Sequence, residues 1–176
     1  MCLGFCQFLL PDVCHIPQMS HGRQHLSQNV VEPFIVQWVS RRVGVALKTR
    51  PVPVGPRTDG TIVHFKFDGV SEDGRIGLLG STSHSLKHGA TRKLHVNASN
   101  ILRAGFQRRI MAFVSNPVRE NFLNKCDGLI ELSKIELLVC NDLPPEMRAS
   151  IAGFQSAAKS EVGDKGRELK LGGRRR

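Results

Sequence analysis

The sequence predicts an α/β fold: a single domain with a central mixed β-sheet of about four to five strands and helices on both faces. Three observations lead there. Segments with apolar residues at helical spacing alternate along the chain with short strand-like runs. One of those runs, Arg109–Val114, is apolar at successive positions, as in a strand covered on both faces. A chain of 176 residues, 40% of them hydrophobic, is long enough to bury one ordinary core and too short for two.

Residues 1–26 carry Pro11, Pro17, Gly22 and scattered histidines without sustained periodicity, and are expected to form an irregular or disordered leader. Ser27 or Asn29 can cap a helix running to about Arg42, with Pro33 accommodated in its first turn. Val31, Phe34, Ile35, Trp38 and Val39 recur at helical spacing and mark its core face, with Glu32 beside that stripe. Between Val43 and Gly60 the prolines and glycines leave room for an edge strand at Val45–Lys48, followed by an extended loop.

Two strands are expected near 61–68 and 75–80, joined by the Glu72-Asp-Gly74 turn. A helix from about Ala90 to Ala104 would bury Leu94, Ala98, Ile101 and Leu102, with Gly105 as its stop. After the strand Arg109–Val114, Ser115-Asn-Pro117 opens a helix reaching about Leu132, Ile135–Cys140 reads as a further strand, and Asp142-Leu-Pro-Pro-Glu146 starts a last helix. The domain is thus expected over 27–160, with 161–176 a flexible basic tail.

The net charge of +10 points to polyanionic partners, nucleic acid foremost. Aromatics make up only 6% of the chain, which argues against a single-strand binder built on stacked rings. Five cysteines without a CxxC pair suggest neither a disulfide scaffold nor a zinc site. No run is long enough for a membrane helix, so no membrane partner and cytoplasmic residence are expected.

Asp68 is the first chemical candidate. It ends a strand that turns Val63, Phe65 and Phe67 to one face and His64, Lys66 and Asp68 to the other. A carboxylate there can lean into a cleft and ligate a hard divalent cation, although Asp before Gly is also ordinary turn chemistry. Basic residues form the second signal: Lys87, His88, Arg92, Lys93 and His95 gather around the start of one helix, with Arg103, Arg108 and Arg109 near its far end. Such a face can track a phosphate backbone, or serve only as a solvated surface. Arg174, Arg175 and Arg176 would add affinity without sequence choice.

From Asn29 to about Ala158, roughly three-quarters of the chain, the pattern resembles the PD-(D/E)XK nuclease-like superfamily. The carrying features are a first helix bearing Glu32, a strand ending in Phe67-Asp68-Gly69, and a Gly-turn hairpin. A polar Ser81-Thr-Ser83 segment, Lys87 and Arg92-Lys93 entering a helix, and the strand Arg109–Val114 follow in order. The resemblance implies a restriction-endonuclease-like fold and Mg²⁺-dependent phosphodiester hydrolysis of nucleic acid, DNA rather than RNA. It implies Asp68 as metal ligand, Glu32 as a carboxylate acting on the metal through water, and Lys87 or Lys93 as the cation at the phosphate.

One element of that pattern is missing. The strand that should supply a second acid reads Ile76-Gly-Leu-Leu-Gly80, so Leu78, Leu79 or Gly80 stands where a glutamate is expected. A non-catalytic nucleic-acid-binding module, or a protein-interaction domain keeping the fold alone, is the alternative expectation.

Overall fold

The computed structural model describes residues 27–83 and 88–153. The leader 1–26, Lys87 and the terminal Arg174–Arg176 lie outside them. A π-helical turn, Ser27–Val31, leads into α1 (Glu32–Val43), followed by β1 (Leu47–Pro56), β2 (Ile62–Ser71) and β3 (Ile76–Ser81). Then come α2 (His88–Arg103), β4 (Arg108–Phe113), α3 (Asn116–Cys126), a 3₁₀ turn at Leu132–Lys134 and β5 (Glu136–Val139). A last helix, α4, occupies 145–153. The five strands form one mixed sheet in the order β1-β2-β3-β4-β5. β1 and β2, and β2 and β3, pair antiparallel, while β3, β4 and β5 run parallel.

The predicted α/β architecture therefore stands, with α1 and α4 on one face of the sheet and α2 and α3 on the other. Period-two alternation divides β4 between them. Ile110 and Ala112 join Val31, Ile35, Trp38, Val39 and Leu78 under α1. Met111 and Phe113 join Phe67, Leu94, Ile101 and Phe122 beneath α2 and α3. The apolar stripe read for α1 is the buried one: Val31, Ile35 and Val39 are wholly buried, and Trp38 donates its indole N–H to Asp142 Oδ2 at 2.7 Å.

Three local expectations need correction. The extended loop after Lys48 is a strand, since β1 runs through Pro51, Pro53 and Pro56. An edge strand tolerates proline because the missing N–H faces away from the ladder, so the proline content misled the reading. The helix opened by Asn116 ends at Cys126 and not near Leu132; Gly128 takes φ 69°, a left-handed turn that redirects the chain. Asn29 lies inside the π turn and does not cap α1, whose N-cap Val31 has no side-chain cap, while the Ser27 side chain lies outside the described residues. Pro33 explains the π turn before it, because the ring would crowd the carbonyl four residues earlier and a wider turn relieves that contact.

One close approach in the core generates a test. Gly77, in a strand paired on both sides, lies directly under Phe106, and an added Cβ would stand 2.2 Å from the ring. Phe106 is buried and meets Phe67 edge-on at 4.9 Å, so it has nowhere to retreat. Gly77→Ala should lower stability by about 1–3 kcal/mol, read as a lower denaturant midpoint at unchanged slope. Gly105→Ala, where nothing lies within 4 Å of an added Cβ, should leave the midpoint nearly unmoved.

Candidate functional site

The site begins with an irregularity in the sheet. Lys48 pairs with Val70 and Arg50 with Phe67, so Asp68 and Gly69 together oppose the single residue Thr49. This is a β-bulge, which bends the strand and re-aims a side chain. The Thr49 hydroxyl secures it by donating to the Asp68 carbonyl oxygen at 2.9 Å. On its other side β2 pairs with β3 only at Gly69–Leu78 and Val70–Gly77. Past Leu78 the two strands part. Gly80 N–H then donates to Asp68 Oδ2 at 2.7 Å, where a continuing ladder would have offered a backbone carbonyl.

The parting opens a cleft of about 1090 Å³ that draws side chains from both faces of the sheet. Asp68 and Lys66 enter from β2, Glu32 from the first turn of α1, and Lys93 and Asn97 from α2. Glu32 sits where the α1 dipole favours a carboxylate. Lys93 and Asn97 are four residues apart on α2, hence on one helical face. Burial raises the Asp68 pKa above its ordinary value. The Gly80 N–H, then the charges of Lys93 and Lys66, oppose that rise without cancelling it.

Of the residues singled out in the sequence, Asp68, Glu32 and Lys93 thus share one cleft. Arg92 is exposed outside its lining, and His88 begins α2. Arg108 and Arg109 start β4, beside Ile76 and Gly77, at the end of β3 opposite Gly80. Arg108 commits its guanidinium to Glu136 in a bidentate pair at 2.8 and 3.1 Å. Asp73 is occupied by the β2–β3 turn, accepting from the Ser71 hydroxyl at 2.6 Å and Arg75 N–H at 3.0 Å.

The three β3 positions at which the resemblance expects an acid differ in their surroundings. Leu78 is buried under α1 and Leu79 in the core beneath α2, whereas a Cβ on Gly80 would point to within 3.6 Å of Asp68 Oδ2. Among the described residues, no group of three or more His, Cys, Asp or Glu side chains is placed to hold a metal ion. Lys66 and Asn97 were not proposed as site residues from sequence. The period-two alternation that aligns Lys66 with Asp68, and the four-residue step from Lys93 to Asn97, were the available signals.

The Asp68 environment predicts a pH effect. A carboxyl whose folded-state pKa lies above its ordinary value stabilises the fold fully below about 3.8 and loses that contribution as pH rises through the folded value. Asp68→Asn keeps an acceptor for Gly80 N–H and carries no charge. Its melting temperature should therefore gain on that of the parent as pH is raised from below 3.8 to neutrality. A difference that stays constant with pH would show that Asp68 is not held against its burial. Comparison of the chain with protein-family models, with curated proteins and with solved structures found no match in any of the three.

Proposed function

We propose that this protein processes nucleic acid, binding the phosphate backbone at the cleft between β2 and β3 and hydrolysing a phosphodiester bond there with Mg²⁺. The observation that carries the reading is the meeting of Asp68, Glu32 and Lys93 on one cleft. The net charge of +10 supports a polyanionic partner. The order of elements also supports the reading: a helix with Glu32, an antiparallel β2–β3 pair with Asp68-Gly69 inside β2, which runs on to Ser71 and so does not end at Asp68, then a helix with Lys93 and a parallel strand.

The donor set suits the ion. Mg²⁺ takes oxygen ligands and commonly uses one or two carboxylates, completing its shell with waters and substrate phosphate. Asp68 and Glu32 supply two carboxylates on a single cleft. When bound, the ion would neutralise charge on the scissile phosphate and activate a water. The chain's own residues do the rest. The Gly80 N–H holds the Asp68 carboxylate in place in the cleft lining. Lys93 and Lys66 offer ammonium groups to phosphate oxygens as negative charge develops. The raised Asp68 pKa reports how unfavourable its charge is without a cation, so binding a dication would lower it.

Gly80 favours a second reading in which the cleft binds phosphate without cleaving, because it leaves the β3 side of Asp68 without a carboxylate. One set of assays separates the two. The protein should nick supercoiled plasmid with Mg²⁺ or Mn²⁺ and stop when the metal is chelated. Asp68→Ala should lose at least about a hundredfold in rate, the worth of several kcal/mol at the transition state. Its duplex binding should persist and weaken steeply with salt, as phosphate contacts require. Gly80→Glu, whose Cβ would meet Ile35 and Asp68 Oδ2 at ordinary contact distance, should raise metal-dependent cleavage. Salt-sensitive binding without cleavage by the parent would select the binding module. Absence of binding at low ionic strength would end both readings.

A further inference from the structure

The sheet has two unlike edges. β1 blunts its own with Pro51, Pro53 and Pro56. β5, at the other side, contains no proline, and its outer side pairs with no strand among the described residues. Cys140 N–H donates to the Phe113 carbonyl oxygen at 2.8 Å, which sets the alternation along β5. Leu138 shares that inward direction, so Leu137 and Val139 turn their backbone N–H and C=O groups outward.

A second cavity, of about 440 Å³, lies along this edge and is lined by Leu137, Leu138 and Val139. Arg42 of α1 lines it from one face of the sheet and Arg119 of α3 from the other. Arg42 lies over the Trp38 ring at 5.5 Å. Arg119 reaches Asn116 and Glu120 through one nitrogen, while its buried Nε has no partner. The one acid in the lining, Asp142, is engaged by the Trp38 indole.

We propose that the β5 edge binds an extended acidic segment of a protein partner by strand addition. Leu137 and Val139 supply the ladder. Neighbouring residues of an added strand point to opposite faces, so of two adjacent acids one meets Arg42 and the next Arg119. An exposed ladder edge selects a peptide, because nucleic acid offers no backbone to pair with it.

The test uses the full chain and a fluorescein-labelled Thr-Val-Glu-Glu-Val-Thr peptide, followed by anisotropy and by emission of Trp38, the sole tryptophan. Saturable binding that shifts Trp38 emission is expected, with none for the Lys-Lys counterpart. Backbone N-methylation of the peptide, which keeps its charge and removes the ladder, should abolish binding. Arg42→Ala and Arg119→Ala should each weaken it by about tenfold, as for a hydrogen bond to a charged group. No binding, undiminished binding of the N-methylated peptide, or displacement of the peptide by a short DNA duplex would each overturn the proposal.

Discussion

The hydrogen bond from Gly80 N–H to the Asp68 carboxylate organises the rest of the site. It forms where β2 and β3 cease to pair, and it supplies the acceptor that the interrupted ladder withdraws. Without it the Gly80 donor would be left unmet at the strand end, a cost of about 1–3 kcal/mol. With it, the sheet can open a slot without leaving that donor orphaned. Side chains from helices on opposite faces then reach the same space, Glu32 from α1 and Lys93 from α2. The bulge at Asp68-Gly69 and the brace from Thr49 are the local means of aiming that carboxylate. Burial works against its charge, and the Gly80 N–H and the charges of Lys93 and Lys66 only partly offset it.

Much of this was legible in the amino-acid pattern, for reasons that can be stated. Strand alternation placed Asp68 and Lys66 on one face, and helical spacing identified the buried stripe of α1. The local signals for β1 failed because proline content is read as a break, whereas an edge strand needs donors on one side only. The pairing of Arg108 with Glu136 was out of reach. It depends on β4 and β5 lying parallel in register, a contact between segments 28 residues apart. The role of Gly80 was partly visible as a missing acid, but the choice among Leu78, Leu79 and Gly80 required knowing which of them borders Asp68.

The distribution of basic residues shows how net charge and site charge differ. Arg108 is spent on Glu136 through two nitrogens, whereas Arg119 gives only one nitrogen to Glu120 and keeps a buried Nε without a partner. Exposed pairs of this kind contribute little to stability. Lys93 and Lys66 line the cleft and act on Asp68. The two helical layers also divide labour. The inner sides of α1 and α2 close the core, while Glu32 of α1 and Lys93 and Asn97 of α2 line the slot, so helices packed on the sheet hold these side chains.

On the proposed function, the slot beside Asp68 is where a divalent cation and phosphate meet the protein. Amide NMR during titration with Mn²⁺ tests it most directly, because a paramagnetic ion broadens the resonances nearest to it. Broadening should centre on the amides of Asp68, Gly69, Leu79 and Gly80, with the start of α1 around Glu32 next, and should be lost in Asp68→Ala. Broadening centred elsewhere, or unchanged in Asp68→Ala, would contradict it.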